Sequence, residues 1–158
     1  MTVSANSGVK RLEEAFSNLL HRGTIQRLHD RAVTRAGYEC DRAAYLVMRR
    51  IVADAPIRIT DLARDVGVEP STVSRHVKPL EKRGWVLRAA DPEDARVSLL
   101  DATTEGARVV DAIDSERRAF LAAVLDGWDS SDQDNLVTLL ERFAADIERK
   151  ASEANVPV

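Results

Sequence analysis

The chain has 158 residues, of which 44% are hydrophobic, 31% are charged and 4% are aromatic. These values fit one helical domain with an aliphatic core, with or without extra helices for self-association. The single cysteine, Cys40, excludes an internal disulfide framework and the common multi-cysteine zinc sites. No apolar run is long enough to span a membrane and the first residues do not resemble a signal peptide, so a soluble cytoplasmic protein is expected.

The net charge of −3 is unevenly distributed along the chain. Residues 71–88 carry five basic side chains and one acidic one, whereas residues 97–158 carry 13 acidic and 6 basic side chains. Duplex DNA is bound by a local basic face and not by the average charge of a protein. The sequence therefore predicts that residues 71–88 face nucleic acid and that the acidic C-terminal third lies away from it.

Helical periodicity begins at Val9, after a polar segment of residues 1–8 that we expect to be disordered. Apolar residues then recur at spacings of three and four, which is typical of an amphipathic helix. The pattern loosens near Gly23 and resumes up to Gly37, so residues 9–36 are predicted to be helical.

Polar residues mark the predicted starts of the next two helices. Asp41 is expected to cap a helix over residues 42–53, which Pro56 ends because the residue before a proline resists the helical conformation. Thr60 is expected to cap a short helix over residues 61–66.

The helix that follows stands in a helix-turn-helix relation to this short one. Gly67 supplies the sharp turn, and Ala63 is small enough for the two helices to cross closely. The second helix is predicted to begin at Ser71 or Thr72 and to end near Arg83.

A change of period after Gly84 predicts a β-hairpin. Residues 85–88 and 96–100 have strand character, and the Asp-Pro-Glu-Asp segment 91–94 between them has turn chemistry. Helical spacing then returns over residues 104–153.

The predicted fold class is mainly α with a small β-hairpin wing. A winged helix-turn-helix over residues 41–103 is flanked by dimerisation helices over residues 9–36 and 104–153. The flanking helices carry wide apolar stripes that the small central motif cannot cover, and a second copy of the chain would bury them. The sequence therefore predicts a homodimer.

The second helix of the motif presents a polar and basic face. Arg75 is the best candidate for a base contact, because its planar fork suits guanine. Serine and threonine at the helix start are expected to bind phosphate, and the later basic residues to add salt-dependent phosphate contacts. The candidate DNA-binding residues of this segment are Ser71, Thr72, Ser74, Arg75, His76, Lys78, Lys82, Arg83 and Arg88. Pro79 lies inside the helix and is expected to bend it beyond the base-reading half.

Residues 59–106 resemble the core of the multiple-antibiotic-resistance regulator (MarR) family. The resemblance rests on the segments DLARDVGV, STVSRHV, LEKRGWVLR, DPEDAR and TTEG, and the flanking helices agree in number and order. It implies a homodimeric repressor that binds a pseudo-palindromic operator and is relieved by a small lipophilic or phenolic effector, or by an oxidant. Asp94 and Arg96 match the wing pair of the family, which implies that Arg96 enters the minor groove and that Asp94 orients it.

Other functions are less well supported by the sequence. No phosphate loop, nucleophile elbow or set of metal ligands at diagnostic spacing is present, so an enzyme, a cofactor and a metal site are not expected. The alternative to a DNA-binding regulator is a winged-helix protein-interaction module that has lost DNA binding. Cys40 is interpreted as a packing residue in preference to a redox switch, and His21 and His29 as surface or interface residues.

Overall fold

The structure, a computed structural model, describes residues 2–92, 94 and 97–154. The chain divides into two compact units, Met1–Arg118 and Ala119–Val158. In chain order the elements are α1 (Thr2–Leu19), α2 (Arg22–Ala36), α3 (Arg42–Asp54), β1 (Ile57–Arg58), α4 (Ile59–Val66), α5 (Pro70–Lys82), β2 (Val86–Ala90), β3 (Ser98–Ala102), α6 (Thr104–Val124) and α7 (Ser130–Ala154). The described part of the chain is mainly helical with one small antiparallel sheet, which confirms the predicted fold class.

The N-terminal helix begins earlier than the sequence suggested. We expected residues 1–8 to be disordered, but α1 begins at Thr2 and residues 2–8 are helical. This segment contains no proline, and its one glycine, Gly8, costs a helix only about 1 kcal/mol relative to alanine. A polar composition therefore did not prevent the helix from extending towards the N-terminus.

Helix α3 begins as predicted, whereas α4 begins earlier than predicted. The Asp41 side chain caps α3 by accepting a hydrogen bond from the amide of Ala44 at 2.9 Å. Helix α4 has Arg58 at its N-cap and starts at Ile59, so Thr60 lies inside the helix instead of capping it. The reason is that Arg58 belongs to strand β1, and the chain turns into the helix directly where the strand ends.

Strand β1 was not predicted from the sequence. It pairs with β3, with Ile57 opposite Leu100 and Arg58 opposite Leu99, so the sheet order is β1-β3-β2. The predicted hairpin is the β2–β3 pair, in which Val86 lies opposite Ala102. The wing is therefore joined to the strand that leads into the helix-turn-helix.

The core of the first unit is mainly aliphatic and is formed by the middle helices and the sheet. Its largest fully buried side chains are Tyr45, Met48, Ile51, Leu62, Leu80, Leu100, Ile113 and His29. Ala63 is 2% exposed, which agrees with the need for a small residue where α4 and α5 cross.

The start of α6 is packed closely against the end of the helix-turn-helix. The Thr103 hydroxyl accepts from the Gly106 amide at 2.9 Å and donates to the carbonyl of Gly84 at 2.7 Å. A Cβ atom on Gly106 would collide with the backbone carbonyl of Trp85. The TTEG segment thus combines a helix cap with a glycine that permits close approach.

The second unit leaves an extended set of large apolar side chains exposed. They are Leu121, Val124, Trp128, Leu136, Val137, Leu139, Leu140 and Ile147. Among the described residues, no helix is both long enough and apolar enough to cross a membrane.

Candidate nucleic-acid interface

The turn of the helix-turn-helix is built on Gly67 and Pro70. Gly67 has φ +68°, a left-handed conformation that favours glycine, and the Val68 amide donates to the Ala63 carbonyl at 2.9 Å. Pro70 is the first residue of α5, where its missing N–H breaks no helical hydrogen bond. The helix therefore begins one residue before Ser71, the earlier of the two predicted starts.

One face of α5 is fully directed to solvent. Ser71, Arg75, Lys78 and Lys82 follow one another at spacings of four, three and four, which places them on one side of the helix. All four are exposed, and Val73, Val77 and Leu80 are buried on the opposite side. Within the described residues, no acidic side chain lies within ion-pair distance of the three cations. We call these four residues the exposed face of α5.

Three other predicted contact residues flank this face. Thr72, Ser74 and His76 are half-buried. The His76 ring lies beside the start of α3, with Nδ1 4.0 Å from the Asp41 carboxylate. The sequence grouped these residues with Arg75, but the structure places them at the edges of the exposed face.

Arg83 is held by contacts inside the first unit. Its guanidinium donates to the carbonyl of Glu39 at 2.5 Å and lies 5.0 Å from the centre of the Trp85 ring. We predicted a phosphate contact for Arg83, but the observed contacts fasten the end of α5 to the turn between α2 and α3. The neighbouring Lys82 remains on the exposed face.

Arg88 is also paired within the fold. Its Nε atom donates to the Glu81 carboxylate at 2.8 Å, and both side chains are about a third exposed. This pair joins α5 to β2. The predicted phosphate role of Arg88 would require it to share its guanidinium with Glu81.

The predicted wing pair is only partly described. Asp94 is exposed, and its carbonyl accepts from the Val97 amide at 2.8 Å within the wing loop. Arg96 lies outside the described residues, so its predicted place in the minor groove stays a prediction.

Sequence reasoning missed an ion pair at the base of the wing. Arg58 donates to one oxygen of Asp91 from Nε at 3.0 Å and from Nη2 at 2.7 Å. The Asp91 side chain is 6% exposed, so this carboxylate is buried. The two residues are 33 positions apart, and Arg58 belongs to a strand that was not predicted, so no local pattern linked them.

Pro79 does not interrupt the recognition helix, because α5 continues to Lys82. The proline has no N–H to donate to the carbonyl of Arg75, four residues earlier. Pro79 is exposed, so this carbonyl lies on a solvent-facing part of the helix.

The only cysteine is not poised for reaction. Burial, and then the negative charge of Asp41, raise the pKa of the Cys40 thiol to about 11, although Arg83 acts in the opposite direction. A protonated thiol is a poor nucleophile, which supports the interpretation of Cys40 as a packing residue.

The interpretation of His29 as a surface or interface residue is wrong, because its ring is fully buried and bonds through Nε2 to the Cys40 carbonyl at 2.9 Å.

Comparison with known proteins identifies the family. The family model described as "MarR family" matches residues 41–98, from the cap of α3 to the start of β3. The uncharacterised HTH-type transcriptional regulator YxaD of Bacillus subtilis (strain 168) is 30% identical over 114 residues, which cover 72% of this chain and 79% of YxaD. The chain belongs to the MarR family. It is a transcription regulator with a winged helix-turn-helix, and its relatives are regulators and not enzymes.

Solved structures of the MarR family share the fold. A crystal structure of MarR has a TM-score of 0.76 at 20% identity and covers 90% of this chain and 94% of its own. Streptococcus pneumoniae FabT in complex with DNA has a TM-score of 0.73 at 16% identity, with 89% and 98% covered. PcaV of Streptomyces coelicolor in complex with its natural ligand has a TM-score of 0.58 at 25% identity, with 87% and 89% covered.

Proposed function

We propose that this MarR-family protein binds a pseudo-palindromic DNA operator as a homodimer and represses transcription. The observation that carries the proposal is the exposed face of α5, where Arg75, Lys78 and Lys82 have no described acidic partner within ion-pair distance. Most other basic residues near the motif are engaged, as Arg58, Arg83 and Arg88 illustrate. A helix that keeps its cations available in this way suits insertion into the major groove.

Within this face we assign different roles to different residues. Arg75 lies nearer the N-terminal half of α5, where recognition helices contact base edges, and its fork matches the two acceptors of guanine. Lys78 and Lys82 lie further along the same side and suit phosphates. Ser71 is in the first helical turn, where hydroxyl and amide groups favour an anion.

The proposed dimer is supported by apolar side chains that each unit leaves exposed. In α1, Val9, Leu12 and Leu19 are about half exposed or more. In the second unit, the α7 side chains Val137, Leu139, Leu140 and Ile147 are likewise about half exposed or more. Several large apolar side chains exposed on one helix favour an interaction site, and a second copy of the chain supplies a self-complementary partner.

We further propose that a small lipophilic or phenolic effector relieves repression. An open cleft of about 790 Å³ lies between the start of α2 and the start of α3. Leu20, Ile25 and Ala43 give it apolar walls, and Gln26 and Arg42 supply polar groups. A ligand that shifted the start of α3 would act on the Asp41 cap and the neighbouring His76 of the recognition helix.

The test is binding to a duplex selected in vitro from a random-sequence library. Arg75→Ala should weaken binding to the selected duplex by about 1–3 kcal/mol and relax specificity at one base position. The control is Arg149→Ala, because Arg149 is an exposed arginine of α7 that pairs with Asp146 and Glu153. Equal losses on selected and random DNA would contradict a base-reading role for Arg75. If the wild-type protein selects no duplex at all, the alternative of a winged-helix protein-interaction module replaces the DNA-binding proposal.

A further inference from the structure

The ion pair between Arg58 and Asp91 connects the wing with the helix-turn-helix. Asp91 follows β2 and begins the wing loop, and its amide donates to the carbonyl of Val97 at 2.9 Å across the base of that loop. Arg58 is the N-cap residue of α4, the first helix of the helix-turn-helix. The side-chain contact therefore links the base of the wing to the start of the motif.

The burial of Asp91 makes this link costly to break. The Asp91 side chain is 6% exposed, whereas that of Arg58 is 44% exposed. A carboxylate removed from water needs partners that compensate its charge, and Arg58 supplies two of the N–H groups that do so. The backbone of Arg58 is also fixed, because β1 pairs with β3 at Arg58 and Leu99.

We propose that Arg58 is a positioning residue for DNA recognition, which acts through Asp91 to hold the base of the wing against the start of α4. The proposal rests on the proposed DNA-binding function. It assigns Arg58 no contact with DNA. Arg58 therefore affects only the part of the DNA affinity that the wing supplies. The wing discriminates between base pairs that flank the sites of the recognition helices.

The probe is the duplex selected above, made in two versions with A·T or G·C base pairs flanking the recognition sites. Arg58→Met should lower affinity for the A·T-flanked duplex on the order of tenfold, the size expected for one lost specific contact. Affinity for the G·C-flanked duplex should change little. In an Arg96→Ala background, which removes the wing residue predicted from the sequence, Arg58→Met should have no further effect.

Arg50→Met is the matched control. Arg50 donates to one oxygen of Asp65 from Nε at 3.3 Å and from Nη2 at 2.9 Å, which repeats the geometry of the Arg58 pair between α3 and α4. This variant loses the same charge and the same kind of contact, together with the Arg50 pair to Asp54 at 2.6 Å, but it should keep the preference between flanks. The double variant Arg58→Met/Asp91→Leu removes the buried carboxylate together with its arginine, so it keeps the test valid if the single variant does not fold.

The outcomes separate the two proposals. A wild-type protein that binds no selected duplex would overturn the proposed function, and the positioning role with it. If the wild type binds but Arg58→Met, or the double variant, lowers affinity equally for both flanks, only the positioning role is wrong. The same conclusion follows if the effect persists in the Arg96→Ala background or if Arg50→Met loses flank preference to the same extent.

Discussion

Lys82 and Arg83 are adjacent basic residues in different surroundings. Lys82 lies on the exposed face of α5 without a described acidic partner in ion-pair distance. Arg83 bonds to the carbonyl of Glu39 and stacks on Trp85. We therefore expect Lys82→Ala to change the salt dependence of DNA binding and Arg83→Ala to change the stability of the fold.

The size of the first effect follows from counterion release. Each phosphate contact contributes about −0.9 to the slope of log K against log salt concentration, and the proposed dimer would lose two such contacts in Lys82→Ala. The slope should become shallower by about 1.8, which amounts to about a twelvefold difference in affinity ratio between about 50 and 200 mM salt. The free energy of unfolding should not change measurably, because Lys82 has no described ion pair to lose.

Arg83→Ala should behave in the opposite way. Loss of a charged hydrogen bond and of the contact with the Trp85 ring should lower the free energy of unfolding by about 1–2 kcal/mol, since Arg83 is partly exposed. Salt titrations by fluorescence anisotropy and urea unfolding of both variants provide the two measurements. An unchanged salt slope in Lys82→Ala, or a slope change as large in Arg83→Ala as in Lys82→Ala, would refute the reasoning.

Three further predictions concern the fold and the titrating side chains. Gly106→Ala should cost about 1–3 kcal/mol in urea unfolding because of its collision with the Trp85 carbonyl, whereas Gly8→Ala, which meets no atom within 4 Å, should be neutral or slightly stabilising. Cys40 should react with a disulfide reagent about a hundredfold more slowly than a free cysteine at pH 7, and rapid labelling of the native protein would contradict the raised pKa. Burial and the hydrogen bond to Asp114 raise the pKa of Tyr45 to about 12, so the neutral phenol stabilises the fold fully below about pH 10 and this contribution is lost as the pH rises through about 12. Tyr45→Phe should reduce the alkaline loss of stability, and an unchanged pH profile in that variant would count against this assignment.

The sequence predicted those features that depend on neighbouring residues. Asp41 caps α3 as expected, and Gly67 takes the left-handed conformation of the predicted turn, because capping and turn preferences act over a few residues. The helical period also predicted that Ser71, Arg75 and Lys78 lie on one face of α5.

Features that depend on distant residues were not predictable in this way. Strand β1 has only two residues, and it is defined by its pairing with β3 and not by a pattern of its own. The basic segment 71–88 indicated several phosphate contacts, but Arg83 and Arg88 find partners in Glu39 and Glu81 through the tertiary fold. Net charge along a segment counts these side chains, but it does not show which of them are engaged.

The turn between α2 and α3 is held by its backbone from two sides. His29 bonds to the carbonyl of Cys40, and Arg83 bonds to the adjacent carbonyl of Glu39. A carbonyl is present whatever the side chain, so substitution of Glu39 should leave both bonds intact. Insertion or deletion of a single residue would move both carbonyls away from their donors. Surface loops usually tolerate changes of length as readily as changes of sequence. The turn between α2 and α3 should tolerate changes of sequence but not changes of length.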